Sequence, residues 1–419
     1  MSSFVEELTW RGLTHHESDP SLAEKMRAEP FVLYAGFDPS ADSLHIGHLL
    51  PVLALKRAQQ FGHRPIAVVG GATGMIGDPS GKTEERKLLS PEDVERNAAG
   101  LRAQLGRFLD FGGGGARLVN NYDWFKEFSF LDFLRRVGKH FSVNMMLGKE
   151  SVRARLEDRE HGISYTEFSY MLIQSYDFLW LNEHHGCRLQ IGGSDQWGNI
   201  TTGIDLIRRV RQSEAFGIAL PLVTDSSGKK FGKTEKGAVW LDAARTSAYE
   251  LYQYFIQCDD RDVGKLLRFY TFLDEKTIVE LDETVRAAPE KREAQRVLAR
   301  EVTTLVHGAH EAAAAEKGAG ALFSGDLDAV LANPDIPSSH WPRAQIDSGL
   351  PLIKVLSHKE GGLLPSVSAA RREIENGGIY INGERVSDIA RNLTASDLQR
   401  DKFIVLRRGK KNYHVVRVD

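Results

Sequence analysis

Two short apolar runs, each emptying into a loop of turn-forming residues, constrain this chain more than any other feature. The first, Phe31 to Tyr34, enters Gly36-Phe37-Asp38-Pro39-Ser40 and then a helical pattern of Leu49, Leu50, Val52, Leu53 and Leu55. Pro51 is expected near that helix's first turn, where a missing N–H costs little. His45 and His48 stand three apart at the helix start, so they point the same way, and Gly47 between them lets a flat group lie against the backbone. The second run, Ile66 to Val69, has the composition of a buried parallel strand and opens into the loop Gly70 to Thr83. Strand, helix, strand and loop make a βαβ unit, with ligand sites at the carboxyl ends of the strands. The corner at 34–48 suits a phosphorylated ligand.

Two common phosphate motifs fail on the second loop. A P-loop requires glycine where Ile76 stands ahead of Gly81-Lys82-Thr83, and the spacing of Gly71, Gly74 and Gly77 departs from the dinucleotide fingerprint.

At 419 residues the chain is long enough for two or three domains. A formal charge of −3 says little, but its distribution says more. Residues 351–419 hold 13 Lys+Arg against 8 Asp+Glu, and the preceding 350 hold 41 against 49. A basic tail on an acidic body fits contact with a polyanion. Cys187 and Cys258 are the only cysteines and lie far apart, which argues against a disulfide or a zinc site and fits a reducing compartment. The N-terminus lacks the basic and apolar blocks of a secretory signal. No apolar run reaches the roughly 18–20 residues of a membrane span. A cytoplasmic protein is expected.

Further along, Pro91 to Asp110 reads as a capped helix and Ala116 to Val119 as a strand. Phe125 to Leu147 reads as one apolar helix, buried in the core or in a subunit interface. In the helix expected from Tyr165 to Leu181, Tyr170, Gln174 and Asp177 share one face, either satisfying one another or meeting a ligand. Leu189 to Ile191 reads as a strand ending in Gly192 to Asn199. Asp225 to Thr234 is a cationic loop carrying Lys229, Lys230 and Lys233, by composition alone an ordinary surface turn. Residues 243–331 read as helical, 332–350 as a linker, and 351–419 as a small unit with a helix bearing Arg371 and Arg372 and two hairpins.

These motifs together resemble a known family. His45-Ile46-Gly47-His48 matches the HIGH motif of class I aminoacyl-tRNA synthetases, and Lys230-Phe231-Gly232-Lys233-Thr234 occupies the place of their KMSKS loop. With Tyr34 to Ser40, the Gly70–Lys82 loop, the Tyr170/Gln174/Asp177 helix and Gly192 to Trp197, the chain resembles the bacterial tyrosyl-tRNA synthetases over nearly its whole length. Its tail resembles the RNA-binding module of small-subunit ribosomal protein four. The resemblance implies an α/β fold: a doubly wound, Rossmann-like catalytic domain over 1–225, then the lysine loop and an all-helical domain over 226–331. A linker over 332–350 would lead to a small α+β RNA-binding domain over 351–419.

It also implies ATP-dependent attachment of tyrosine to tRNA(Tyr) through tyrosyl-adenylate. His45 and Ser40 would face the γ-phosphate, and His48 with Gly47 the ribose and adenine. Lys82, Arg86, Lys230, Lys233 and Thr234 would hold pyrophosphate. Gly36, Asp38, Gly193 and Asp195 complete the ATP side, with Asp195 accepting from ribose hydroxyls. Tyr34 and Asp177 would meet the phenol of tyrosine, Asp78, Tyr170 and Gln174 its ammonium, and Gln196 its carboxylate. Magnesium would arrive on the ATP phosphates, without a protein cage. A homodimer joined through Phe125 to Leu147 is implied. KFGKT in place of KMSKS, and Ser40 where threonine is common, are mild departures. The rivals are a tryptophanyl-tRNA synthetase, whose substrate has no phenol to justify Tyr34 with Asp177, a shorter nucleotidyltransferase, and an inactive RNA-binding paralogue.

Overall fold

The computed structural model describes residues 3–80, 89–113, 115–157, 162–234, 237–324, 337–358, 362–409 and 412–419. Two compact units emerge, one from 1–246 with 258–306, the other from 247–257 with 307–419.

The first unit is built on a six-stranded sheet. Its strands are β1 (His16–Glu17), β2 (Val32–Phe37), β3 (Arg64–Val69), β4 (Arg117–Asn120), β5 (Cys187–Gly193) and β6 (Phe216–Leu220), in the order β1-β6-β5-β2-β3-β4. All neighbours pair in parallel except β1 with β6. From β2 the chain winds outward through β3 and β4, then returns to place β5 on the other side of β2. Strand order therefore reverses between β2 and β5, and the crevice at their carboxyl ends is where such sheets bind ligands. This is the expected doubly wound class.

Three helices place side chains at that crevice or beside it: Ile46–Gln60 after β2, Tyr165–His185 before β5 and Trp197–Arg211 after it. The Tyr165–His185 helix buries Phe178 and Leu181 against the sheet with Tyr34, Ile66 and Val68. Pro51 is the sixth residue of the Ile46–Gln60 helix, past the first turn expected for it, so the Gly47 carbonyl loses its helical donor.

The helix expected over Phe125 to Leu147 is broken into Tyr122–Phe125, Phe130–Arg136, a 3₁₀ turn at Gly138–His140, and Val143–Leu147. Ser129 starts a new helix by accepting from the Asp132 N–H, and Gly138 interrupts it. Phe130, Leu131 and Val143 are more than half exposed, so much of the segment lies outside the core.

Residues 226–331 do not pack as one helical domain. The Asp260–Tyr270 helix belongs to the first unit because two buried arginines hold its C-terminal end. Arg57 Nη2 donates to the carbonyls of Phe269 (3.1 Å) and Thr271 (2.7 Å), and Arg11 Nη2 to that of Leu273 (2.7 Å). Cations suit the negative end of a helix dipole, although burial lowers the Arg57 pKa to about 9.

In the second unit, helices Ala248–Ile256 and Ala309–Ser324 pack together. Five strands form a separate sheet, in the order Glu384–Val386, Ile379–Ile381, Phe403–Arg408, Asn412–Val418 and Ser338–Trp341. The last of these falls inside the expected 332–350 linker, pairs in parallel with Asn412–Val418, and buries Trp341 in this unit's core. The Arg343–Asp347 helix follows it and buries Ile346 in the same core. Residues 332–336 lie outside the described residues. No described helix is long and apolar enough to cross a membrane.

Candidate functional site

A cavity of about 380 Å³ opens at the carboxyl ends of β2 and β5. It is lined by Tyr34, Gly36, Asp38, His45, Gly47, His48, Asp78, Tyr170, Gln174, Asp177, Gly193, Asp195, Gln196, Lys230 and Lys233, so one cavity collects most of the residues expected at the site. Ser40 is exposed and does not line it. Lys82 and Arg86 lie outside the described residues, as does the side chain of Thr234.

One end of the cavity is deep and polar. Tyr34 stands on β2, 2% exposed, and its hydroxyl has no protein partner. Beside it Asp177, 4% exposed, accepts from Trp124 Nε1 at 2.8 Å and from Asn121 Nδ2 at 3.1 Å. Burial pushes the Asp177 carboxyl up to about 8 against the pull of those two donors. The carbonyl oxygens of Gln174 and Gln190 are buried on the same cavity without a partner. Three polar atoms left unmatched around one space are costly unless a polar ligand fills it.

The neighbouring wall is a bonded network. Tyr170 Oη donates to Asp38 Oδ2 (2.8 Å), Thr73 Oγ1 donates to Asp38 Oδ1 (2.6 Å), and Gln196 Nε2 donates to Asp78 Oδ2 (2.6 Å). With its proton committed to Asp38, the Tyr170 oxygen can only accept, which suits an ammonium group. Burial and the nearby Asp38 raise the Tyr170 pKa far above the usual phenol range.

The other end is the N-terminus of the Ile46–Gln60 helix. His45 caps it, its ring nitrogen accepting from the Gly47 N–H at 3.1 Å, while the His45 N–H donates to His48 Nδ1 at 3.2 Å. The two rings stack at 3.9 Å. A helix N-terminus with two imidazoles has the chemistry to suit phosphate oxygens. Lys230 and Lys233 face it from the hairpin beyond β6, and Asp195 closes the β5 side. Burial and Asp78 raise the Asp195 pKa, and Lys230 pulls it back, so lysine and carboxylate are within electrostatic reach.

Gly232 packs directly on the first residue of this helix. Its φ is +88°, and a Cβ there would clash with Ile46 Cγ2. No side chain fits while the hairpin holds this position.

Sequence reasoning missed Thr73, Asn121, Gln190 and Trp124. Gln190 carried a signal, a polar residue within a buried parallel strand. Asn121 and Trp124 reach Asp177 only because β4 ends beside β3, and no local pattern reports that approach.

The family model "tRNA synthetases class I (W and Y)" matches residues 26–324, and "Tyrosine--tRNA ligase SYY-like C-terminal domain" matches 333–416. The tyrosine–tRNA ligase of Roseiflexus castenholzii is 52% identical over 427 residues, covering 100% of both chains. The chain belongs to the class I tyrosyl-tRNA synthetases. The tyrosine–tRNA ligase of Geobacillus stearothermophilus is likewise 52% identical, over 99% of each chain. Among solved structures, a C-terminally truncated mitochondrial tyrosyl-tRNA synthetase of Aspergillus nidulans aligns with a TM-score of 0.69 and 31% identity, covering 78% of this chain and 94% of that one. A Plasmodium falciparum tryptophanyl-tRNA synthetase, at 14% identity and a TM-score of 0.53, shares the fold. The activity of this tyrosyl-tRNA synthetase is the attachment of tyrosine to tRNA, with ATP as the family's substrate.

Proposed function

We propose that the cavity binds tyrosine at its Tyr34–Asp177 end and ATP at its His45–His48 end, and that adenylate formation happens between them. The observation that carries this reading is the unmatched Tyr34 hydroxyl beside Asp177, in the same space as the helix N-terminus. The tyrosine phenol pairs with Tyr34 and Asp177. The ammonium group lies against Tyr170, Gln174 and Asp78, and Gln196 orients the carboxylate. No side chain serves as nucleophile. A tyrosine carboxylate oxygen attacks the α-phosphorus, the bond to the bridging oxygen breaks, and pyrophosphate leaves with the negative charge.

The protein's work is to hold the two substrates in line and to stabilise charge on the leaving group. His45 and the helix N-terminus meet the phosphates, joined by Ser40 and by Lys82, Arg86 and Thr234. His48 and Gly47 lie on the ribose side, and Asp195 with Gly193 receives the sugar hydroxyls. Gly36 and Asp38 complete this side, Asp38 by fixing Tyr170. Lys230 and Lys233 are mobile point charges whose contacts strengthen as pyrophosphate departs. In the second step a terminal ribose hydroxyl of the tRNA attacks the tyrosyl carbonyl and AMP leaves.

Magnesium arrives on the ATP phosphates and is held through them rather than by a protein cage. The exposed Phe130, Leu131 and Val143 support a homodimer interface through Phe125 to Leu147. The basic C-terminal unit contacts the tRNA backbone, and the enzyme acts in the cytoplasm.

Lys230→Ala and Lys233→Ala test this reading. Each should slow tyrosine-dependent ATP–pyrophosphate exchange by more than about ten-fold, the effect of losing a charge-assisted contact made in the transition state. Equilibrium tyrosine binding should stay as in the wild type. Weakened tyrosine binding with an unchanged exchange rate would refute it.

A further inference from the structure

The lysine loop is a preformed hairpin rather than a loose turn. The Phe231 N–H donates to the Val223 carbonyl (2.8 Å), Asp225 N–H to that of Lys229 (2.9 Å), and Thr224 bridges Lys230. Within the turn, the Asp225 carboxylate accepts from the Ser227 N–H (2.9 Å), the Ser227 hydroxyl (2.6 Å) and the Lys229 N–H (3.0 Å). A hairpin braced in this way moves as a unit, so what matters for its lysines is where it is anchored.

Among the described residues, hydrogen bonds anchor it on both sides. On the exit side the Gly232 carbonyl accepts from the Val239 N–H (2.9 Å), and the Val239 carbonyl accepts from the Ile46 N–H (2.9 Å), stitching the hairpin to the start of the histidine helix. On the entry side the anchor comes from the Asp260–Tyr270 helix. Asp262 Oδ2 accepts from the Ser226 N–H at 2.9 Å, and Lys265 Nζ donates to the Thr224 carbonyl at 2.6 Å and lies 3.6 Å from Asp262 Oδ1. Asp262 is only 5% exposed, whereas residues 226–230 are all exposed. A carboxylate is buried at such cost only when its bonds are well made. The far end of the same helix is held by Arg57, which lies near the end of the helix that His45 begins. At that end Tyr270 Oη also lies 3.5 Å from the Ile46 carbonyl, so the Asp260–Tyr270 helix reaches from the lysine hairpin to the start of the histidine helix.

We propose that Asp262, braced by Lys265, is a positioning residue for the activation step: it fixes the pivot on which the hairpin carries Lys230 and Lys233 onto the departing pyrophosphate. This rests on the reading of those lysines given above. Asp262 touches no substrate and acts only through the hairpin, so its effect should appear in the rate of the chemical step and not in tyrosine binding.

The test is a double-mutant cycle in the full-length enzyme, read by ATP–pyrophosphate exchange, with tyrosine binding and Tm measured alongside. Asp262→Ala should lower kcat for exchange by about ten-fold, the effect of one bond to a charged group. Tyrosine binding should be unchanged. Asp262→Asn, which keeps an acceptor for the Ser226 N–H, should recover most of the loss. In a Lys230→Ala background the further effect of Asp262→Ala should be smaller than in the wild-type background, because only Lys233 is left for the pivot to place and coupled residues do not add. Should Asp262→Ala fail to fold, Lys265→Met carries the same cycle through Thr224. A wild-type rate in the single variants, or a loss that adds in full to that of Lys230→Ala, overturns the pivot alone. Lys230→Ala at the wild-type rate overturns the reading of the loop lysines and the pivot with it.

Discussion

Tyr34→Phe separates stability from recognition, and the structure sets the sign of each. The Tyr34 ring packs 5.3 Å from Phe178, and phenylalanine keeps that contact. Only the hydroxyl is lost, and it is buried without a protein partner. Burying such a group costs about 1–3 kcal/mol, so its removal should leave Tm unchanged or raise it slightly. Bound tyrosine would supply the missing partner. Losing one hydrogen bond between neutral groups is worth about 0.5–1.5 kcal/mol, or about 2- to 12-fold in tyrosine affinity. Phenylalanine has no hydroxyl to lose, so discrimination should fall by the same factor. Thermal unfolding, with exchange titrated by both amino acids, reads these quantities. A Tm lowered by several degrees with unchanged tyrosine affinity would mean that Tyr34 is a structural residue, and the assignment would fail.

Three further expectations follow from specific contacts. Gly232→Ala places a Cβ against Ile46 at a φ of +88°, so the hairpin must lift off the histidine helix; exchange should slow at least about ten-fold while tyrosine still binds, and an unaltered rate would show that this docked position is not the active one. The Asp177 carboxyl, raised to about 8 from 3.8, holds a proton in the folded protein that the unfolded chain has released. Its contribution to stability is full below about pH 4 and is lost as pH rises towards 8, so the drop in Tm between pH 5 and 8 should be smaller in Asp177→Asn; equal drops would contradict the burial argument. Deletion should begin at residue 337, because a cut at 351 strands Ser338–Trp341 without its sheet. Removing 337–419 should spare pyrophosphate exchange and weaken tRNA charging, with the defect growing as salt rises, and loss of exchange in a folded truncation would refute that division of labour.

The part of the site that could be read in the sequence is the part where one segment carries its own geometry. His45 and His48 sit three apart on a helix and stack, and Tyr170, Gln174 and Asp177 share the face that lines the cavity. The strand before each turn is plain from its apolar run, whereas the reversal between β2 and β5 belongs to the doubly wound fold that the family resemblance implies. What escaped depends on segments meeting at a distance. Trp124 and Asn121 reach Asp177 across more than fifty residues of chain. Ser338-Ser339-His340-Trp341 has neither alternation nor an apolar run, and it becomes a strand by pairing in parallel with the distant Val415 to Val418. Between Phe125 and Leu147 the apolar content masked Ser129 and Gly138, the residues that divide it.

The most direct measurement is ATP–pyrophosphate exchange by the wild type and by Asp177→Ala, each with tyrosine, phenylalanine and tryptophan. Wild-type exchange should respond to tyrosine alone. In Asp177→Ala the tyrosine KM should rise steeply and the preference over phenylalanine should erode, because the buried acceptor for the phenol is gone. Unchanged selectivity in that variant, or wild-type exchange driven by tryptophan, would contradict the claim that this cavity reads tyrosine through its hydroxyl.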